Sequence, residues 1–229
     1  MMRYLIGLLF LCFSGLVAQT GPDSSSIDTR YLEDQFYIGV TYNFLLGQPD
    51  DVSQRNLSYG LQAGFIKDMP LNSNRTTAIG LGVGYGVYSY YSNLKAEENN
   101  NGILYSILEN DSDFKRNKIE THVLEVPFEI RWRNSTPSEY KFWRLYAGMK
   151  FGYVFAGRSK LVPTDASKIS FYNNDIRSFQ YGLTLNFGYN TFNVHAYYSL
   201  SNLYNGNVFL DNESLNTQPL RVGLIFYIL

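Results

Sequence analysis

The sequence predicts an all-β chain: an eight-stranded antiparallel up-and-down transmembrane β-barrel of the outer-membrane type. Three observations predict it. Apolar residues alternate with small or polar ones through eight successive segments, the period of a strand with two unlike faces. The segments are longer than the 5 or 6 residues common in globular sheets and reach the roughly 9 to 11 that a tilted strand needs to cross a bilayer. Long connections alternate with short ones, as external loops alternate with periplasmic turns. In lipid each strand needs a hydrogen-bonded neighbour on both sides, so such a sheet must close on itself.

Composition narrows the classes further. Among 229 residues, 19 Lys and Arg balance 20 Asp and Glu, which removes the basic surface that nucleic-acid binding requires. The 20 Tyr and 16 Phe come without the repeated long apolar runs of a helical membrane bundle. Residues 1–18 read as a secretory signal: Arg3 supplies the positive start, Tyr4 to Val17 is almost wholly apolar, and Ala18 offers a small residue for cleavage. Cys12 follows Leu11 where a lipidation signal wants a small residue, and no cysteine remains after it, so disulfides cannot staple the exported chain. Residues 19–34, polar and Ser-rich with Gly21 and Pro22, read as a flexible periplasmic lead-in, and residues 35–229 as the barrel.

The elements follow in order. A first strand, Gln35 to Gly47, turns Phe36, Ile38, Val40, Tyr42 and Phe44 to lipid, and a second, Leu57 to Lys67, turns Leu57, Tyr59, Leu61, Ala63 and Phe65. A third, Thr77 to Ser92, sets Ile79, Leu81, Val83, Tyr85 and Val87 against Gly80, Gly82, Gly84 and Gly86. Its G-x-G-x-G-x-G spacing is not that of a dinucleotide loop, and the glycines make room on a crowded inner face. The fourth, Thr121 to Arg133, divides most sharply: His122, Leu124, Val126, Phe128, Ile130 and Trp132 oppose Glu125, Glu129, Arg131 and Arg133. A fifth (Phe142 to Arg158), sixth (Ser178 to Tyr189), seventh (Phe192 to Leu203) and eighth (Pro219 to Leu229) repeat the division. Long external loops fall at 93–120, 159–177 and 204–218. Interfacial aromatic girdles are expected at Phe36, Trp132, Trp143, Tyr189 and Phe192 on the turn end, and at Tyr90, Tyr91, Phe155 and Tyr204 on the loop end.

An eight-stranded barrel is just wide enough to be filled by its own side chains. Glu125, Glu129, Arg131, Arg144, Lys150 and Arg221, all on inward faces, are therefore expected to form a neutralised interior network rather than line a wide channel. Pairing Arg133 with Phe142 across the hairpin would set Glu125 opposite Lys150 and Glu129 opposite Tyr146. Ile103, Leu104, Tyr105, Ile107 and Leu108 make an apolar island inside the 93–120 loop, either a candidate partner-docking site or a loop folded onto the rim. Catalysis finds no support: His122 should face outward and His195 inward, and His195 with Ser199 on one strand face lacks a triad motif. No zinc or calcium spacing is present, so no cofactor and no small-molecule substrate are expected.

The stretch Asn117 to Phe155, NKIETHVLEVPFEIRWRNSTPSEYKFWRLYAGMKFGYVF, and within it Leu124–Arg133 and the Lys141-Phe142-Trp143-Arg144 step, resembles the PorT family of outer-membrane barrels associated with type IX secretion. The resemblance implies a non-enzymatic component needed for proteins with C-terminal sorting domains to cross the outer membrane, with membrane lipid and other secretion-system proteins as partners. It carries over no catalytic residues. A small structural or solute-conducting outer-membrane barrel is the alternative. Many such barrels end in an aromatic residue, whereas this chain ends in Leu229, with Phe226 and Tyr227 just before it.

Overall fold

The computed structural model describes residues 34–100, 102–109, 114–134, 142–190, 192–206, 208–211 and 213–228. The expected signal, the lead-in before Asp34 and the terminal Leu229 lie outside the described residues. The strands are β1 (Gln35–Leu46), β2 (Tyr59–Pro70), β3 (Thr77–Tyr91), β4 (Leu94–Asn99), β5 (Gly102–Ile107), β6 (Phe114–Arg133), β7 (Trp143–Pro163), β8 (Ile169–Tyr172), β9 (Phe179–Tyr189), β10 (Phe192–Ser199), β11 (Phe209–Leu210), β12 (Glu213–Ser214) and β13 (Gln218–Ile228). Eight of them, β1, β2, β3, β6, β7, β9, β10 and β13, pair antiparallel with their sequence neighbours, and β13 returns to β1 to close the barrel. The other five belong to the connections at one end, where β4 pairs β5, β11 pairs β12, and β8 adds to the upper part of β7.

Side-chain alternation is the physical cause of closure. On the wall, residues such as Ile38, Leu124, Ile130 and Phe192 stand exposed, while Gln35, Asn43, Glu125, Arg131 and Arg221 are buried. A sheet with an apolar outside and a polar inside is stable only with hydrocarbon around it and no free edge. The glycines of β3 serve the inner face: Gly84 pairs directly with Gly64 of β2, and a Cβ on Gly64 would stand 2.6 Å from the Tyr37 hydroxyl. The missing side chains leave the lumen to that ring. Pro127 lies mid-strand, and the β3–β6 ladder runs from Thr77↔Trp132 to Leu81↔Phe128 and resumes at Gly84↔Glu125. The gap faces the residue that has no amide hydrogen to donate.

Four expectations need correction. The β6–β7 hairpin pairs Arg133 with Arg144, not with Phe142, so the register is shifted by two residues. Asn134 closes the hairpin early: its amide bonds the Trp143 carbonyl (3.3 Å) and its side-chain oxygen accepts the Trp143 amide (2.7 Å). The faces survive the shift, but Glu125 now opposes Gly152 and Glu129 opposes Gly148. Second, β6 begins at Phe114 and β7 runs on to Pro163, well into the expected 93–120 and 159–177 loops, with a bulge where His122 pairs Ala156 and Val123 pairs Val154. The bulge sets the phase of the extension, which keeps Ile119 and Leu161 turned inward.

Third, β10 stops at Ser199 instead of Leu203, because the Leu200 and Ser201 amides both turn to the Tyr181 carbonyl (2.9 and 3.3 Å). Fourth, the loop-end girdle is different. Phe36, Trp132, Trp143, Tyr189 and Phe192 are exposed at the turn end, and Phe155 at the loop end, but Tyr90, Tyr91 and Tyr204 are buried. Tyr90 points into the barrel, Tyr91 is covered by Lys118, and Tyr204 belongs to the packed loops. Tyr42, Phe44, Tyr59, Tyr153, Tyr172, Phe179 and Tyr198 are among the other aromatics exposed toward that end.

Candidate functional site in the barrel interior and loop cap

The lumen is filled in layers, each supplied by inward positions of the alternating strands. Nearest the turns, Asp68 of β2 lies between two guanidinium groups of β6, 3.1 Å from Arg131 and 2.8 Å from Arg133. Arg131 also binds Glu129 at 3.0 Å, and its guanidinium stacks over the Tyr146 ring at 4.4 Å and the Tyr227 ring at 5.6 Å. Strands from three sides of the barrel thus meet on one cation. Away from water, a charge left without a partner costs several kcal/mol, which is why carboxylates and guanidiniums interleave here.

The next layer centres on Glu125. It accepts hydrogen bonds from the Tyr88 hydroxyl (2.6 Å) and the Lys150 ammonium (3.1 Å), with an Arg221 nitrogen at 3.7 Å. Lys150 reaches across the lumen from β7 to the Gln62 side-chain oxygen on β2 at 2.6 Å. Arg221 of β13 donates to the Tyr90 hydroxyl on β3 at 3.0 Å and lies over the Tyr88 ring at 3.4 Å. A short chain extends the first layer across the lumen: the Asn186 amide nitrogen donates to Glu129 at 3.1 Å, and His195 Nδ1 lies 2.5 Å from the Asn186 oxygen. The wall-to-wall bonds make the interior a cross-brace.

Of the six charged residues expected inside, Glu125, Lys150 and Arg221 come together in one group and Glu129 and Arg131 in a second. Arg144 stands apart at the turn rim, stacked on Phe142 at 4.3 Å and bonded to the Asn190 carbonyl. Asp68 was missed because the expected second strand ended at Lys67, although one more step of alternation turns position 68 inward. The interior tyrosines and Gln62 were missed because aromatic and amide residues carry no charge signal of their own. His195 and Ser199 share a face without sharing a site, since the Ser199 hydroxyl donates to the Ser201 carbonyl (2.8 Å). His122 lies on the outside, 2.6 Å from the Tyr85 hydroxyl. Among the described residues no cluster of His, Cys, Asp and Glu could hold a metal ion.

Above the charged layers the loops close the barrel with an apolar core. Ile176, Leu203, Tyr204, Val208, Leu210 and Leu215 from the connections pack against Leu45, Ile119, Val123 and Val154 of the wall. This cap divides the apolar island. Tyr105 and Ile107 lie against the core; the Tyr105 ring meets Tyr204 edge-on at 5.8 Å, and its hydroxyl bonds Asn173 and Asp175. Burial pushes the ionisation of both the Tyr105 and Tyr204 hydroxyls upward, so both remain neutral. Leu104 is 63% exposed on the other face of β5, whereas Ile103, on the face of Tyr105 and Ile107, is half-buried, as is Leu108 just beyond the strand.

A closed eight-stranded wall, apolar outside and charged inside, with loops gathered at one end, defines a small outer-membrane β-barrel. The chain belongs to the family of outer membrane protein β-barrel domains, whose model matches residues 17–205. The protein is accordingly located in the outer membrane. Among solved structures it is similar to Ail, the attachment invasion locus protein of Yersinia pestis, in complex with the heparin analogue sucrose octasulfate. That match has 17% identity and a TM-score of 0.33, covering 85% of this chain and 99% of that one. A second structure of Ail matches at 16% identity and a TM-score of 0.29, covering 84% and 97%. No curated protein matches the chain.

Proposed function

We propose that this protein is a non-enzymatic, non-conducting component of the outer membrane that supports type IX secretion and maturation of proteins with C-terminal sorting domains. The observation that carries the non-conducting part is the occupied lumen, braced by Lys150–Gln62, Arg221–Tyr90 and Asp68–Arg131 and covered by the apolar cap. A barrel filled in this way leaves its loops and turns as working surfaces. The secretion part rests on the resemblance of Asn117–Phe155 to PorT proteins, a stretch that forms most of the extended β6–β7 hairpin. On this reading other secretion-system proteins are the partners, and the exposed Leu104 is a candidate contact on the cap.

Deleting the gene and comparing surface and periplasmic pools of proteins with C-terminal sorting domains tests the role. Unprocessed precursors should accumulate in the periplasm and clear when the intact gene is restored. Unchanged secretion would remove the role and leave a small structural barrel, the reading that the rigid interior and the packed cap also support.

A further inference from the structure

The outward face of β3, β6 and β7 changes character where the strands leave the apolar belt. Below, Leu124, Tyr85 and Phe155 are exposed and apolar; above, the outward positions are Ser89, Lys118, Glu120, Arg158 and Lys160. Glu120 is held by both lysines, at 2.6 Å from Lys118 and in direct contact with Lys160. Lys118 also donates to the Ser89 hydroxyl (3.1 Å) and sits 5.3 Å from the Tyr91 ring centre. Arg158 stacks on the exposed Tyr172 ring at 4.4 Å and bonds its hydroxyl. Glu120 is the single acid on the outward face of these three strands, against three cations, with exposed Lys115 and Arg116 one turn of the strand higher. The cluster retains positive charge and unused ammonium protons.

Directly below lies a second, independent feature. A groove of about 570 Å³ is let into the lipid-facing wall between β1, β2, β3 and β6, lined by Phe36, Ile38, Ala63, Phe65, Val83 and Tyr85 among others. It exists because Ala63 sits between the larger Ile38 and Tyr85 on neighbouring strands. Tyr85 at its upper end bonds His122, and His122 Nε2 lies 3.5 Å from Glu120, so groove and cluster are contiguous. An acyl-sized apolar groove rising to a cationic cluster at headgroup height matches one chemistry, that of an anionic membrane lipid.

We propose that this face is a binding site for a lipid with a phosphate-bearing anionic headgroup, its chain in the Ala63 groove and its phosphate on Lys118, Lys160 and Arg158. Charges at a membrane surface attract through about 1 kcal/mol per Lys or Arg, which corresponds to about fivefold in occupancy for each cation.

The test is native mass spectrometry of the full-length barrel in detergent, equilibrated with equal amounts of phosphatidylglycerol and phosphatidylcholine. The wild type should retain phosphatidylglycerol preferentially. Lys118→Gln/Lys160→Gln should lose that preference, at about fivefold per cation. Ala63→Phe, which fills the groove and keeps every charge, should lower retention of the same lipid. Heat-modifiable migration verifies that each variant is folded, and if the double variant is not, Arg158→Gln carries the same expectation for one cation. Equal retention of the two lipids, or a preference unchanged by the substitutions, overturns the proposal. Displacement of phosphatidylglycerol by inorganic phosphate together with an inert Ala63→Phe would also overturn it, and would assign the cations to free phosphate.

Discussion

The wall-enclosed interior and the loop cap sit a few residues apart and obey opposite rules. Within the wall, Asp68, Arg131, Glu125 and Arg221 are buried while Leu124, Ile130 and Phe187 are exposed. In the cap, Leu203, Tyr204 and Leu215 are buried, and the Lys95–Glu97 pair lies on the surface. The difference is one of solvent. Hydrocarbon around the strands makes an outward leucine favourable and leaves polar groups only the lumen, whereas water around the loops restores the ordinary hydrophobic core. Tyr88 and Tyr90 join the two, with their rings in the apolar cluster and their hydroxyls on Glu125 and Arg221.

Four substitutions probe the two solvents separately. Asp68→Ala removes the one carboxylate shared by Arg131 and Arg133 and so breaks a buried ion pair from one side, at a cost of about 3–5 kcal/mol. It should abolish or strongly destabilise the heat-modifiable folded form, and a fold that tolerates it would mean that water enters the lumen freely. Leu124→Arg places a charge on the lipid face near the midplane, where it costs about 2–4 kcal/mol. A native-like denaturant midpoint for this variant in bilayers would contradict the outward assignment of that face.

Ile176→Val trims one methyl from the cap and should cost about 0.5–1.5 kcal/mol. Its signature is faster proteolysis of the loops with unchanged heat-modifiable migration, because the cap opens locally above an intact wall; a lowered barrel midpoint would mean that the two regions unfold together. Glu120→Gln should have the smallest effect, and a pH-dependent one. Burial pushes the Glu120 carboxyl up, but hydrogen bonds from Lys118 and Lys160 outweigh it and hold the group down at about 2. A carboxyl depressed in the folded state contributes stability that is complete above its ordinary range and lost as pH falls toward 2. The difference between wild type and Glu120→Gln in urea titrations should therefore be present at neutral pH and shrink below about pH 4.5. A difference independent of pH would show that charge is not its cause.

Much of the wall was legible in the sequence because one rule, period two between two unlike solvents, acts on every residue of a crossing strand. The outward Leu124, Phe128 and Ile130 and the inward Glu125, Glu129 and Arg131 stand on the faces that alternation assigns. Register was less legible, since a shift of two residues preserves every face, and the Asn134 bonds that set it are a local side-chain choice. Strand ends at Lys67 and Leu203 were misplaced because alternation continues past the apolar belt in one case and persists without pairing in the other. The cap was hardest to read. Its residues come from four connections, and nothing in the spacing of Val52, Ile176, Leu203 and Leu215 announces that they meet.

The lumen is a solid brace under a cap, and the barrel works through its surfaces. Current across planar bilayers containing the purified, folded, full-length barrel tests it most directly. A braced lumen should give no single-channel steps above the bare-bilayer leak under an applied voltage. Steady, reproducible unitary currents that scale with salt concentration would contradict it, and would make this a channel whose charged interior conducts.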